Sequence, residues 1–131
     1  MFPESHLDLL RDDVRAFALL ATIMQDGSPQ ATPIWFSWDG EYILINSVIG
    51  RIKDRNMRRH PNIAMAILDP NSPYRYVQVR GVVMNITSEG GVEHISALSQ
   101  KYRGRAFYAP GQPTENRVIY RIKPEHISAS G

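Results

Sequence analysis

The fold is indicated first by residues 17–47, FALLATIMQDGSPQATPIWFSWDGEYILINS, in which two Asp-Gly pairs separate three runs of strand-forming residues. The runs cover residues 17–24, 30–38 and 41–47, and the turns fall at Asp26-Gly27 and Asp39-Gly40. Asp-Gly between apolar runs is a strong signal for a tight β-hairpin. Because tight turns join antiparallel strands and parallel strands need long crossovers, we expect a three-stranded antiparallel meander here.

The same pattern continues on both sides of this stretch. Three further strands are predicted at residues 62–68, 74–87 and 117–122. Gly81 is expected to form a bulge or bend in the longest of them. Residues 3–16 predict an amphipathic helix with Ser5 as its N-cap, and residues 89–102 predict another helix. Six strands with a few short helices predict a mainly β protein, a closed or nearly closed antiparallel β-barrel.

Length and composition bound the class of protein. The 131 residues fit one domain, residues 1–131, and 43% hydrophobic with 21% charged residues is ordinary globular usage. There is no cysteine, so disulfides and thiolate chemistry are excluded. No apolar run is long enough to cross a bilayer, and the acidic start MFPESHLDLLRDD does not resemble a signal peptide. We therefore expect a cytoplasmic protein with no membrane association.

The strongest candidate for a functional site is the segment of residues 50–61, GRIKDRNMRRHP, which contains five cationic residues and one acidic residue. The pattern predicts a short helix that begins after Gly50 and ends before Pro61. Cations in the first turn oppose the helix dipole, whereas an anion bound there would be stabilised by the dipole, by Arg51 and by Lys53. Asn46 and Ser47, at the end of the preceding strand, would add donors. A solvated basic helix is the alternative reading.

An ordered set of short segments resembles the pyridoxamine-phosphate-oxidase-like split barrels. The segments are LAT at 20–22, DGSPQ at 26–30, PIWF at 33–36, DG at 39–40, DP at 69–70 and PYRYVQVRG at 73–81. Residues 50–61, with R-x-K-x-x-N at 51–56, are similar to the subgroup that includes reductases dependent on the deazaflavin F420. The resemblance implies a six-stranded antiparallel split β-barrel of Greek-key type. It also implies a homodimer, with F420 or FMN in a cleft at the subunit interface.

The resemblance also implies which residues hold the cofactor. Pro33, Ile34 and Trp35 would lie beside its ring, and Arg51 and Lys53 would contact its phosphate. The phosphate end would be completed by Asn46, Ser47, Val48, Gly50 and Ile52, with Asn56 in support and Gln78 reaching in from either subunit. No catalytic side chain is identified, because in such proteins the ring performs the hydride transfer. No metal site is expected, since the four histidines lack ligand spacing.

Three functions remain open from the sequence. The first is an F420- or FMN-dependent oxidoreductase that reduces a small unsaturated or conjugated substrate. The second is a non-catalytic carrier of flavin, haem or tetrapyrrole. The third is a nucleic-acid-binding barrel, suggested by the basic helix, although a net charge of only +2 counts against it.

Overall fold

The computed structural model describes residues 1–131, which form one antiparallel sheet with two α-helices and a 3₁₀ helix. The strands are β1 (Phe17–Ile23), β2 (Pro29–Ile34), β3 (Ser37–Trp38), β4 (Ile43–Val48), β5 (Asn62–Asp69), β6 (Ser72–Thr87) and β7 (Arg117–Ser130). The helices are the 3₁₀ helix Glu4–Leu10, α1 (Ile52–Arg59) and α2 (Gly91–Arg103). None of them combines the length and the apolar character that a membrane-spanning helix requires.

The strand order is β2-β1-β5-β6-β7-β4-β3, with every pair antiparallel. The two edge strands, β2 and β3, are joined by only Trp35 and Phe36. The sheet must therefore curl until its edges are within reach of this short connection. This is the predicted split barrel, with seven strands where the sequence predicted six.

The interior of the curled sheet is a single apolar core. Strand alternation is clear in β1, where Ala18 and Leu20 are buried inside while Phe17 and Leu19 are 50% and 42% exposed outside. Eighteen buried side chains form the core cluster, with Phe36, Ile43 and Tyr120 fully enclosed. Since each fully buried large apolar side chain contributes about 1.5–3 kcal/mol, the core accounts for most of the driving force for closure.

The predicted three-stranded meander is wrong in its connectivity. Residues 30–38 do not form one strand, because Trp35 and Phe36 interrupt it. The first half pairs with β1, as in Ala18 opposite Ile34, whereas the second half pairs with β4, as in Ser37 opposite Leu44. The two hairpins are present, but they lie at opposite edges of the sheet.

Both ends of the chain also differ from the prediction. The helix expected over 3–16 is a 3₁₀ helix that ends at Leu10, because the chain then turns to enter β1. Its N-cap is Pro3 and not the predicted Ser5, whose hydroxyl instead forms a hydrogen bond with the neighbouring His6 ring. The last strand is longer than 117–122, since β7 pairs with β6 from Ile119 to Ser130. An irregularity does lie at Gly81, where the register shifts between Arg80 and Gly81, but the extra residue is Glu125 on β7 and not a residue of β6.

Candidate functional site

A cleft of about 310 Å³ opens where the ends of β2 and β4 approach the start of α1 and one face of α2. It has an aromatic and aliphatic wall and a cationic end. Its lining residues are Phe17, Pro33, Ile34, Trp35, Asn46, Ser47, Arg51, Lys53, Ile95, Leu98, Phe107 and Arg117.

The cationic end is built from Arg51, Lys53 and Arg117. Arg51 Nη2 donates to Glu115 Oε2 at 2.9 Å, and Arg117 Nη2 donates to Glu115 Oε1 at 3.0 Å. Lys53 takes part in none of the ion pairs of the chain. Two of the three cations therefore share one carboxylate, Lys53 pairs with none, and the cleft keeps an excess of positive charge.

The turn before α1 places the first two of these cations. Gly50 has φ +92°, a conformation that side-chain-bearing residues rarely adopt, and it lets the chain reverse between β4 and the helix. The helix begins at Ile52, with Arg51 as N-cap, and ends at Arg59, immediately before His60 and Pro61. The helix predicted between Gly50 and Pro61 is confirmed.

Asp54 fastens this turn to the barrel. Its carboxylate accepts hydrogen bonds from the Gly50 N–H (2.9 Å), the Tyr120 hydroxyl (2.5 Å) and Arg58 Nε (2.9 Å), although the residue is only 1% exposed. Burial by itself would raise the pKa of Asp54, but the three donors outweigh burial and leave that pKa lowered. The carboxylate therefore stays ionised and holds the backbone that carries Arg51 and Lys53.

Lys53 is a poorly solvated cation. Burial lowers the pKa of its ammonium group, and the neighbouring charge of Arg51 lowers it further. Both effects penalise the protonated form when no anion is nearby. A negative group placed between the two side chains would remove the repulsion and restore the pKa. The arrangement suits an anionic ligand better than it suits the protein alone.

The other wall of the cleft is aromatic. Trp35 stacks on Tyr102 with ring centroids 5.4 Å apart and planes within 3°, and Phe107 meets Trp35 edge-on at 6.4 Å. The Tyr102 hydroxyl donates to the Ala16 carbonyl at 2.6 Å, and burial raises the pKa of Tyr102 to about 12. With Pro33 alongside, Trp35 and Phe107 offer an aromatic surface next to the cations. Such a surface suits a planar ring.

The Asn46 side chain is fixed by three hydrogen bonds. Its amide donates to the Gly91 carbonyl (2.9 Å) and to His94 Nδ1 (3.1 Å), while its oxygen accepts from Arg117 Nη1 at 3.4 Å. A neutral His94 that accepts at Nδ1 carries its proton on Nε2, which lies 3.0 Å from the Ser37 hydroxyl. Burial lowers the pKa of His94 to about 4, so the ring is neutral near pH 7.

The cleft brings together seven of the twelve residues that the sequence suggested for the cofactor. These are Pro33, Ile34, Trp35, Asn46, Ser47, Arg51 and Lys53. Val48 ends β4, Gly50 lies in the turn and Ile52 begins α1, and none of the three lines the cleft.

Two of the suggested residues point elsewhere. Asn56 is buried on the barrel side of α1, where its amide donates to the Thr22 hydroxyl at 3.1 Å. Gln78 lies exposed on β6 and accepts a hydrogen bond from Ser128 at 3.1 Å. Neither lines the cleft of its own chain.

Sequence reasoning missed five lining residues: Phe17, Ile95, Leu98, Phe107 and Arg117. Four of them are apolar residues with no distinguishing pattern. Arg117 did carry a signal, since it opens a strand of apolar residues and an arginine there needs partners when buried. Its side chain is 5% exposed and lies 4.6 Å from the Phe107 ring.

Comparisons with known proteins agree with this architecture. The family described as Pyridoxamine 5'-phosphate oxidase matches residues 4–131. A solved F420 reductase is 33% identical, with 97% of this chain and 98% of that chain covered and a TM-score of 0.84.

Two more distant structures share the fold. A conserved hypothetical protein from Mycobacterium tuberculosis is 23% identical (TM-score 0.74; 99% of this chain and 85% of that chain covered). A protein from Listeria innocua, proposed to be a pyridoxamine 5'-phosphate oxidase, is 19% identical (TM-score 0.72; 96% and 95% covered). With nearly its whole length matched, the chain belongs to the pyridoxamine 5'-phosphate oxidase family.

Proposed function

We propose that the chain is an oxidoreductase that uses F420 or FMN, bound in the cleft, to reduce a small unsaturated or conjugated substrate. The observation that carries this is the pairing of a flat aromatic wall with a cationic end where Lys53 has no internal counter-ion. A planar ring with an anionic tail has the matching shape and charge. When bound, the ring would supply the hydride transfer. The 33% identity with an F420 reductase supports the deazaflavin.

The residues of the chain would bind and orient the cofactor. Arg51 and Lys53 would hold the phosphate by charge-assisted hydrogen bonds, and Ser47, which is 3% exposed, would contribute a hydroxyl from the end of β4. Pro33 and Trp35 would confine the ring. Because the aromatic wall excludes water from one side, the charged contacts at the other end would be stronger than at an open surface.

Binding tests the cofactor assignment directly. We expect the purified protein to quench the fluorescence of F420 or FMN, and Lys53→Ala to weaken binding by more than about tenfold, since a hydrogen bond to a charged group contributes about 1.5–3 kcal/mol. Arg55→Ala is the matched control, because Arg55 is an exposed cation of the same helix that does not line the cleft. Equal affinities for wild type, Lys53→Ala and Arg55→Ala would refute the site.

Turnover separates the enzyme from a carrier. Reduced cofactor should be reoxidised when conjugated enones or other activated alkenes are added, and oxidation is followed by absorbance. Tight binding without reoxidation by any acceptor would assign the cleft to a non-catalytic carrier. Affinity for single-stranded nucleic acid that falls steeply with salt would instead support the basic helix as a nucleic-acid surface.

The proposal includes a homodimer with the cleft at its boundary. Phe17 and Leu19 expose large apolar side chains on the outer face of β1, and Phe17 also lines the cleft. A second copy covering this face would bury both residues and border the cofactor. Leu19→Glu should therefore yield monomers in analytical ultracentrifugation, whereas Met84→Glu, at an equally exposed site on β6, should not. A wild-type protein that sediments as a monomer would refute this part.

A further inference from the structure

Glu115 lies among the cations of the cleft and engages two of them. One carboxylate oxygen is 2.9 Å from Arg51 Nη2, and the other is 3.0 Å from Arg117 Nη2 and 3.2 Å from the Tyr108 hydroxyl. Building on the proposed function, we propose that Glu115 is an internal competitor for the anionic group of the cofactor. In the free protein Glu115 forms an ion pair with Arg51, and this pair breaks when the phosphate binds to Arg51. Glu115 thereby determines how many negative charges the site prefers in a ligand.

The two arginines differ in how firmly they are held. The Arg117 side chain is 5% exposed, donates from Nε to the Tyr108 hydroxyl at 3.1 Å, and packs its guanidinium over the Phe107 ring. The Arg51 side chain is 53% exposed, and its ion pair with Glu115 is its one side-chain contact of this kind. Exposed ion pairs of this kind are weak. Arg51 can therefore leave Glu115 while Arg117 keeps that carboxylate in place.

The charge count gives Glu115 its effect on specificity. Arg51, Lys53 and Arg117 carry three positive charges, and Glu115 cancels one of them. Burial opposes ionisation of Glu115, but the hydrogen bonds from Tyr108 and Arg117 outweigh it and lower the pKa of the carboxyl. The two remaining positive charges match a phosphate monoester. An uncharged ligand gains nothing from them.

The experiment measures affinities of FMN, F420 and riboflavin for the wild type and Glu115→Gln by calorimetry. Riboflavin carries the same ring as FMN without the phosphate. Glu115→Gln should bind the anionic cofactors roughly threefold to tenfold more tightly at low ionic strength, and the gain should shrink as salt screens the charges. Riboflavin affinity should not change. Glu115→Asp, too short to bridge both arginines, should fall between wild type and Glu115→Gln.

Glu41→Gln is the matched control, because Glu41 is exposed at the far end of β4, about 20 Å from the cleft at the usual rise per strand residue. It removes the same charge and should leave all three affinities unchanged. Unchanged or weaker FMN and F420 binding in Glu115→Gln would overturn the inference. If the wild type binds both no more tightly than riboflavin, the proposed phosphate site itself fails, and the inference fails with it.

Discussion

Asp54 and Tyr120 offer a quantitative test of how the barrel holds the binding turn. The Tyr120 hydroxyl is 2.5 Å from Asp54 Oδ1, and both residues are almost completely buried, at 0% and 1% exposed. Tyr120→Phe removes the hydroxyl and keeps the ring in the core. A hydrogen bond to a charged acceptor contributes about 1.5–3 kcal/mol, so we expect the free energy of unfolding to fall by that amount.

Asp54→Ala should cost more. It leaves the Gly50 N–H and the buried Tyr120 hydroxyl without their acceptor, and each buried polar group left unpaired costs about 1–3 kcal/mol. Arg58→Ala is the control, because the side chain of Arg58 is 45% exposed and its ion pair with Asp54 should contribute less than about 1 kcal/mol. Urea unfolding followed by tryptophan fluorescence measures all three.

The order of the three effects is the critical result. If Tyr120→Phe destabilises no more than Arg58→Ala, the buried hydrogen bond does not fasten the turn and the reasoning is refuted. The dependence of the free energy of unfolding on pH gives an independent check. Because the pKa of Asp54 is below its ordinary value of 3.8, its stabilisation is present above that pH and is lost as the pH falls through the lowered pKa. Asp54→Ala should flatten this acid-induced loss.

Three further predictions concern stability. The pKa of His94 is about 4 in the folded chain against an ordinary 6.5, so the free energy of unfolding should fall by up to about 3 kcal/mol as the pH drops from 6.5 to 4, and His94→Gln should remove this slope in urea titrations. A Cβ at Gly81 would lie 2.6 Å from the Lys123 carbonyl oxygen, so Gly81→Ala should lower the melting temperature; an unchanged value would contradict the tight β6–β7 approach. Arg75 forms one ion pair with Asp8 of the 3₁₀ helix, at 2.6 Å, and another with Asp69 at the end of β5, and so links the helix to the sheet. Arg75→Ala should therefore speed amide exchange in residues 4–10 and leave exchange in β7 unaltered.

The sequence predicted the fold class well because the local signals and the tertiary structure agree. Asp-Gly turns, alternating strands and the break at Gly81 are all local features, and each is present in the structure. The error lay at Trp35 and Phe36, where a continuous strand-forming run is divided between two edges of the sheet. Closure of the barrel causes that division, and no short-range pattern reports closure.

Helix α1 shows why individual site residues were harder to predict. Its buried residues are Asp54, Asn56 and Met57, two of them polar, while the apolar Ile52 is 46% exposed. Hydrophobic periodicity assigns the inner face of a helix from its apolar residues and therefore misplaces this one. The family resemblance suggested Asn56 as a supporting contact of the cofactor, whereas its amide donates to the buried Thr22 hydroxyl.

The cationic end of the cleft combines a local motif with a long-range pairing. Arg51 and Lys53 follow from residues 50–61 alone, because the strand-to-helix turn places them together. Arg117 reaches them through the pairing of β7 with β4, in which it stands opposite Val48. Successive strand residues face opposite sides, so a shift of this register by one residue would turn Arg117 away from the cleft and leave Glu115 without its buried partner. Two of the three cations are therefore encoded in neighbouring residues, and the third depends on how the barrel closes.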